Sequence, residues 1–136
     1  MALSALSLAP SLHAAAMQAG KVQALLVVGD VVEVDSTGNR KTISKGDNVS
    51  IGDTVIAGPN SGATLVFSNG ATMRVRENSQ LSVVNFQQAP FDEAKEGTFI
   101  RLQRDPSQSI TNLDLKNGTL QGEVKALNTA AGSQFT

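Results

Sequence analysis

Residues 63–86, ATLVFSNGATMRVRENSQLSVVNF, decide how the chain is read. Runs of alternating apolar and polar residues flank Asn69-Gly70, and a period of two is that of a half-buried strand. Asn-Gly supplies the two positive φ angles of a type I′ turn, so a hairpin is expected here. Leu65, Phe67, Met73 and Val75 then share one face, and Arg74 and Arg76 project from the opposite face of the second strand.

The same grammar extends outward. Residues 21–35, KVQALLVVGDVVEVD, read as two strands joined tightly at Gly29-Asp30. Val31, Val32 and Val34 break strict alternation, which predicts a bulge or a doubly buried stretch. DSTGN (35–39) is turn chemistry, and residues 41–62 hold strands of three to five residues punctuated by Gly46, Gly52 and Gly58-Pro59. A second Asn-Gly, at 117–118, is expected to join NLDLK to TLQGEVKAL as a second hairpin. Between the hairpins, QQAPFDEAKEG reads as a loop with one helical turn, TFIRLQ as a strand and RDPSQ as a turn. The expected fold class is all-β, with short Gly-punctuated strands and hairpins forming a two-layer sandwich-like or solenoid-like domain.

With 136 residues, 40% of them apolar and 17% charged, the chain suits one domain that can bury a core. Eleven basic and twelve acidic residues are scattered, so no basic run neutralises a row of phosphates and nucleic acid is not an expected partner. Trp and Tyr are absent, which disfavours sugar or base stacking. Cysteine is absent too, excluding disulfides and thiolate chemistry.

The first 19 residues read as an export signal: an Ala/Leu run, a break at Pro10 and a small-x-small site at Ala14–Ala16. The segment opens without Lys or Arg, which places the expected true start upstream; the alternative is an amphipathic helix packed on the domain. The expected division is therefore a signal peptide over 1–19 and an all-β domain over 20–136, exported to the periplasm or cell envelope. Nothing later approaches eighteen consecutive apolar residues, so no membrane-spanning helix is expected.

GDTVIAGPNSGATLVFSNGATMRVRENSQLSVVNF (52–86), LDLKNGTLQGEVKALN (113–128) and SQF (133–135) together resemble the FecR-domain family of bacterial envelope proteins. The resemblance covers roughly residues 21 to 136. It implies an all-β periplasmic module without enzymatic activity that works by protein interaction or signal sensing. The best-known members hold a sigma factor through a cytoplasmic N-terminal region. Before residue 21 this chain carries only the export-like segment, so direct sigma-factor regulation is not the expected role. Members also continue past SQF into another strand, so the domain is expected to extend beyond Thr136. The alternatives to an interaction module are a structural envelope or surface scaffold and a polysaccharide-binding module.

His13 is the lone histidine and lies in the expected signal segment, so the domain would hold neither His nor Cys for general-base, zinc or thiol chemistry. Asp30, Asp35, Asp47, Asp53 and Glu77 are the carboxylates available to hard cations or acid–base work. DSTGN fails the EF-hand template, and the aspartates mostly sit beside glycine as turn residues. Arg74 and Arg76 form either an anion- or partner-binding patch or a solvated face that discourages aggregation. Asn48-Val49-Ser50 and Asn117-Gly118-Thr119 match a glycosylation triplet that a bacterial envelope protein would ignore, and Lys45-Gly46-Asp47 reads as a turn. No catalytic, cofactor-binding or metal-binding residue is assigned and no cofactor is expected; the expected partner is another envelope protein.

Overall fold

Alternating Val, Leu, Ile and Phe on short strands can bury only one side of each strand, so two sheets must face one another. The computed structural model describes residues 16–136 and has this β-sandwich arrangement, with sheets of seven and five strands. The first sheet runs β12 (Gln134–Phe135), β10 (Ser109–Asn117), β9 (Ser79–Gln88), β6 (Thr54–Ala57), β3 (Val31–Val34), β4 (Arg40–Thr42). β1 (Gln18–Ala19) pairs with the far end of β9 through Gln18–Gln88 and Ala19–Gln87. The second sheet runs β11 (Leu120–Glu123), β8 (Thr72–Val75), β7 (Gly62–Phe67), β2 (Val22–Val28), β5 (Asn48–Val49). The expected His13 and most of the export-like segment lie outside the described residues.

The core lies between the sheets. Leu65, Phe67, Met73 and Val75 all face inward and are buried, as the alternation of residues 63–75 requires. Val22, Val31, Val55, Leu81, Val83 and Phe86 meet them from neighbouring strands. The Phe67 and Phe86 rings touch edge to face with centroids 5.3 Å apart, the arrangement favoured by the aromatic quadrupole. Truncating either ring would leave a central void, at a cost of about 3–5 kcal/mol.

Both Asn-Gly sites differ from expectation. Asn69-Gly70 does join the antiparallel pair β7–β8, but Gly70 alone takes positive φ (87°). Gly70 N donates to Phe67 O and Phe67 N to Ala71 O, which is a three-residue loop with glycine in the left-handed position. Asn69 keeps an ordinary φ because its side chain turns inward, as described below. Asn117-Gly118 makes no hairpin: β10 pairs with β9 in one sheet and β11 with β8 in the other, so the chain crosses between layers there. Gly118 holds φ +87° and lies so close to Ser79 that an added Cβ would sit 2.4 Å from the Ser79 Cα.

Gly29-Asp30 is a tight connection, and it too crosses from one sheet to the other. The irregularity expected among Val31, Val32 and Val34 lies one strand earlier: Ala24 pairs with Leu65 and Leu26 with Thr64, leaving Leu25 as the extra residue. β3 itself alternates, and its inward residues are Val31 and Glu33. A similar bulge on β9 skips Val84, which is 56% exposed.

TFIRLQ is not a strand. Phe99–Arg101 form a 3-10 turn, with Arg101 N donating to Thr98 O and Leu102 N to Phe99 O. The segment between β9 and β10 passes over the face of the second sheet, and it forms an isolated β-bridge just past this stretch, where Arg104 pairs in parallel with Ala126. The expected single helical turn is present at Glu93–Glu96, capped by the Asp92 side chain on Lys95 N.

Candidate functional site

β10 is the strand on which the molecule changes character. Its first half is closed on both sides: β9 pairs along one flank, and β12 lies parallel on the other through Ile110–Gln134 and Thr111–Phe135. The ladder continues as Thr136 N donates to Thr111 O and Leu113 N to Thr136 O.

Beside that half sits a buried polar node. Asp105, 3% exposed, accepts from Ser109 Oγ (2.8 Å) and Ser133 Oγ (2.6 Å) on one oxygen and from Gln88 Nε2 (3.3 Å) on the other. Gln88 accepts in turn from Ser68 Oγ at 2.6 Å. Asn69 directs its amide nitrogen at Ser109 and Thr111 (3.4 and 3.3 Å) and accepts from Ala71 N at 3.0 Å. Among the described residues every buried side-chain polar atom has a partner. The node ties the β7–β8 loop, the end of β9, the segment before β10 and Ser133 into one unit; its one carboxylate and its hydroxyls are occupied within it. Sequence reading missed it, since its members are common turn and strand residues that become special only when buried together.

The second half of β10 is open. Beyond Leu113 no strand lies on its outer flank among the described residues. Thr111 O and Leu113 N both point to that flank, so alternation aims Leu113 O and the Leu115 N–H and C=O there too. Leu113 and Leu115 project to the inner face, opposite Val83 and Leu81 on β9. Leu113 packs against the core, while Leu115 is 39% exposed. On the other sheet's near edge, Leu120 is half-buried against the core and Val124 is 42% exposed. This side of the sandwich therefore combines unpaired backbone with apolar side chains, the two features a sheet edge normally hides.

Two hollows mark the outer face of the second sheet. The larger, about 1370 Å³, lies between β2–β5 and the passing segment 93–101, which buries Val66; Lys21 and Glu93 pair across it at 2.8 Å. Its lining mixes both charges with Leu25, Phe99 and Ile100. The smaller, about 370 Å³, lies beside Arg74 and Arg76.

The carboxylates are dispersed. Asp35 caps its own turn, accepting from Thr37 Oγ1 (2.6 Å), Thr37 N (2.9 Å) and Asn39 N (3.0 Å), and these bonds hold its pKa below the usual aspartate value. Asp47 accepts from Ser44 N in the Lys45-Gly46-Asp47 turn, and Glu77 accepts from Asn60 N. Asp30 lies in the Gly29-Asp30 crossing, where its backbone N–H donates to Ser61 Oγ. Asp53 adjoins Glu33, whose carboxyl is raised above its ordinary value, chiefly by burial and then by its hydrogen bond with Asp53, against the opposing donation from Ser50 N. Three or more metal-ligating side chains do not converge anywhere among the described residues. Of the glycosylation-type asparagines, Asn48 is exposed on β5, and Asn117 donates to Asn78 O. No helix of the described residues is long and apolar enough to cross a membrane.

Comparison with protein-family models, curated proteins and solved structures found no match to this chain.

Proposed function

We propose that the chain is a non-enzymatic interaction module of the bacterial cell envelope, of the kind its FecR-like motifs imply, which holds a second envelope protein against the apolar margin of the sandwich that carries Leu115, Leu120 and Val124. The observation that carries this reading is that margin: Leu115 and Val124 are exposed and Leu120 is only half-buried. Apolar side chains of the partner would cover Leu115 and Val124. Burying them supplies affinity without special polar groups, which fits a domain in which neither His nor Cys follows residue 13.

Capture from envelope extract tests the proposal when wild type is compared with Leu115→Lys/Val124→Lys and Val84→Ser. Lysine at 115 and 124 puts charge on the margin at residues that are already exposed, and Val84→Ser changes an exposed apolar residue outside it. A discrete envelope protein held by wild type and by Val84→Ser, and lost with the double lysine variant, is the expected result. Equal capture by all three would overturn docking at this margin. Retention with the polymeric envelope fraction in place of any protein would favour the scaffold reading.

A further inference from the structure

The outer face of the second sheet carries a hollow whose two walls differ in chemistry. Strand register explains it. Across the sheet, Gln121, Arg74, Thr64 and Leu26 form one row of outward residues. In the next row Gly62 pairs with Val28, and Arg76 follows Val75 on the β8 side. Gly62 puts no side chain between them; a Cβ there would meet only the Val75 carbonyl oxygen, at 3.0 Å. The gap forms the concavity of about 370 Å³, with Arg74 and Arg76 along one side and Leu26 and Val28 along the other.

Each wall is exposed. Leu26 is 48% and Val28 55% exposed, and both arginines lie at the surface. Neither arginine enters an ion pair among the described residues, and the Arg76 guanidinium has only a long 3.5 Å bond to Gln121 Oε1. Glu77, at the rim, accepts from Asn60 N, and one carboxylate beside two guanidiniums leaves the hollow cationic. An apolar pair alone would name no ligand, and neither would an arginine pair. Placed about a glycine gap, they select a molecule with an oxyanion at one end and a short aliphatic chain at the other. The volume lies near the lower limit for small-molecule sites, which suits such a ligand.

We propose that this hollow binds a small amphipathic carboxylate, its oxygens taken by Arg74 and Arg76 and its chain laid over Gly62 against Leu26 and Val28. The site shares no residue with the margin around Leu115, Leu120 and Val124, so it is independent of the reading above.

The test is titration of the whole chain with sodium octanoate, followed by NMR at the Leu26 and Val28 methyls and the Arg74 and Arg76 Nε–H groups. Expected is saturable binding that shifts all four residues together. Acetate, which lacks the chain, and octylammonium, which reverses the charge, should each bind more weakly by about tenfold or more, the equivalent of 1.4 kcal/mol. Arg74→Gln/Arg76→Gln and Leu26→Ser should each lose affinity to a similar degree with unchanged circular dichroism. Equal binding of octylammonium, or shifts confined to other residues, would overturn the proposal. So would retention on phosphatidylglycerol vesicles without saturable octanoate binding, since the arginines would then be a membrane-surface patch.

Discussion

The two halves of β10 share a backbone and a neighbour, β9, yet they are built for opposite ends. From Ser109 to Thr111 the strand is flanked on both sides, and Ser109 and Thr111 are fully buried against the polar node. Beyond Leu113 no strand lies on the outer flank among the described residues, and the side chains from Asp114 to Asn117 are exposed. Stability is concentrated where polar groups are satisfied internally, and the proposed docking margin lies where apolar side chains reach the surface.

Substitutions that break this division should fall in a clear order. Asp105→Ala strands three buried donors, on Gln88, Ser109 and Ser133, and should cost about 3 kcal/mol or more, read as a lower urea midpoint. Gly118→Ala, just past the open half, forces a residue with a Cβ into positive φ and against Ser79; a loss of about 2 kcal/mol is expected by the same measurement.

Glu33 tests the contrast from outside β10, because it is a buried acid beside a second carboxyl, Asp53, whereas Asp105 is surrounded by donors. Its raised folded-state pKa means that its contribution to stability is fully present below the ordinary glutamate value and is lost as pH rises through the folded value. Glu33→Gln keeps an acceptor for Ser50 N and offers a donor to Asp53. It should raise the urea midpoint at pH 7 and flatten the rise in stability that wild type shows on mild acidification. Asp35 acts with the opposite sign, its contribution being present above the ordinary aspartate value and lost as pH falls through its lowered one. Smallest of all, Leu115→Lys should change stability by no more than about 0.5 kcal/mol, because the residue is already partly exposed, while it blunts the edge and abolishes partner capture.

Much of this arrangement was legible in the chain. The 63–75 alternation correctly gave the inward set Leu65, Phe67, Met73 and Val75 and the outward arginines, because a period of two fixes which face a residue occupies. It does not fix which sheet a strand joins, and so Asn117-Gly118 looked like Asn69-Gly70 although it spans the two layers. The apolar residues of TFIRLQ suggested a strand, but a strand needs a neighbour, and this segment lies across a sheet face where Leu102 packs near Gly70. Asn69 read as a turn residue; its buried amide bonds to Ser109 and Thr111 span about forty residues of sequence and leave no local pattern. The hollow over Gly62 was half visible, since Arg74 and Arg76 stood out, while Leu26 and Val28 reach the same face only through the bulge at Leu25.

Residue-resolved amide hydrogen exchange along β10 tests the division most directly. Leu113, whose N–H donates to Thr136 O, should be strongly protected, and the Leu115 amide, with no strand on that flank among the described residues, should exchange far faster. Protection of the Leu115 amide equal to that of Leu113 in the chain of residues 1–136 would contradict this division of β10.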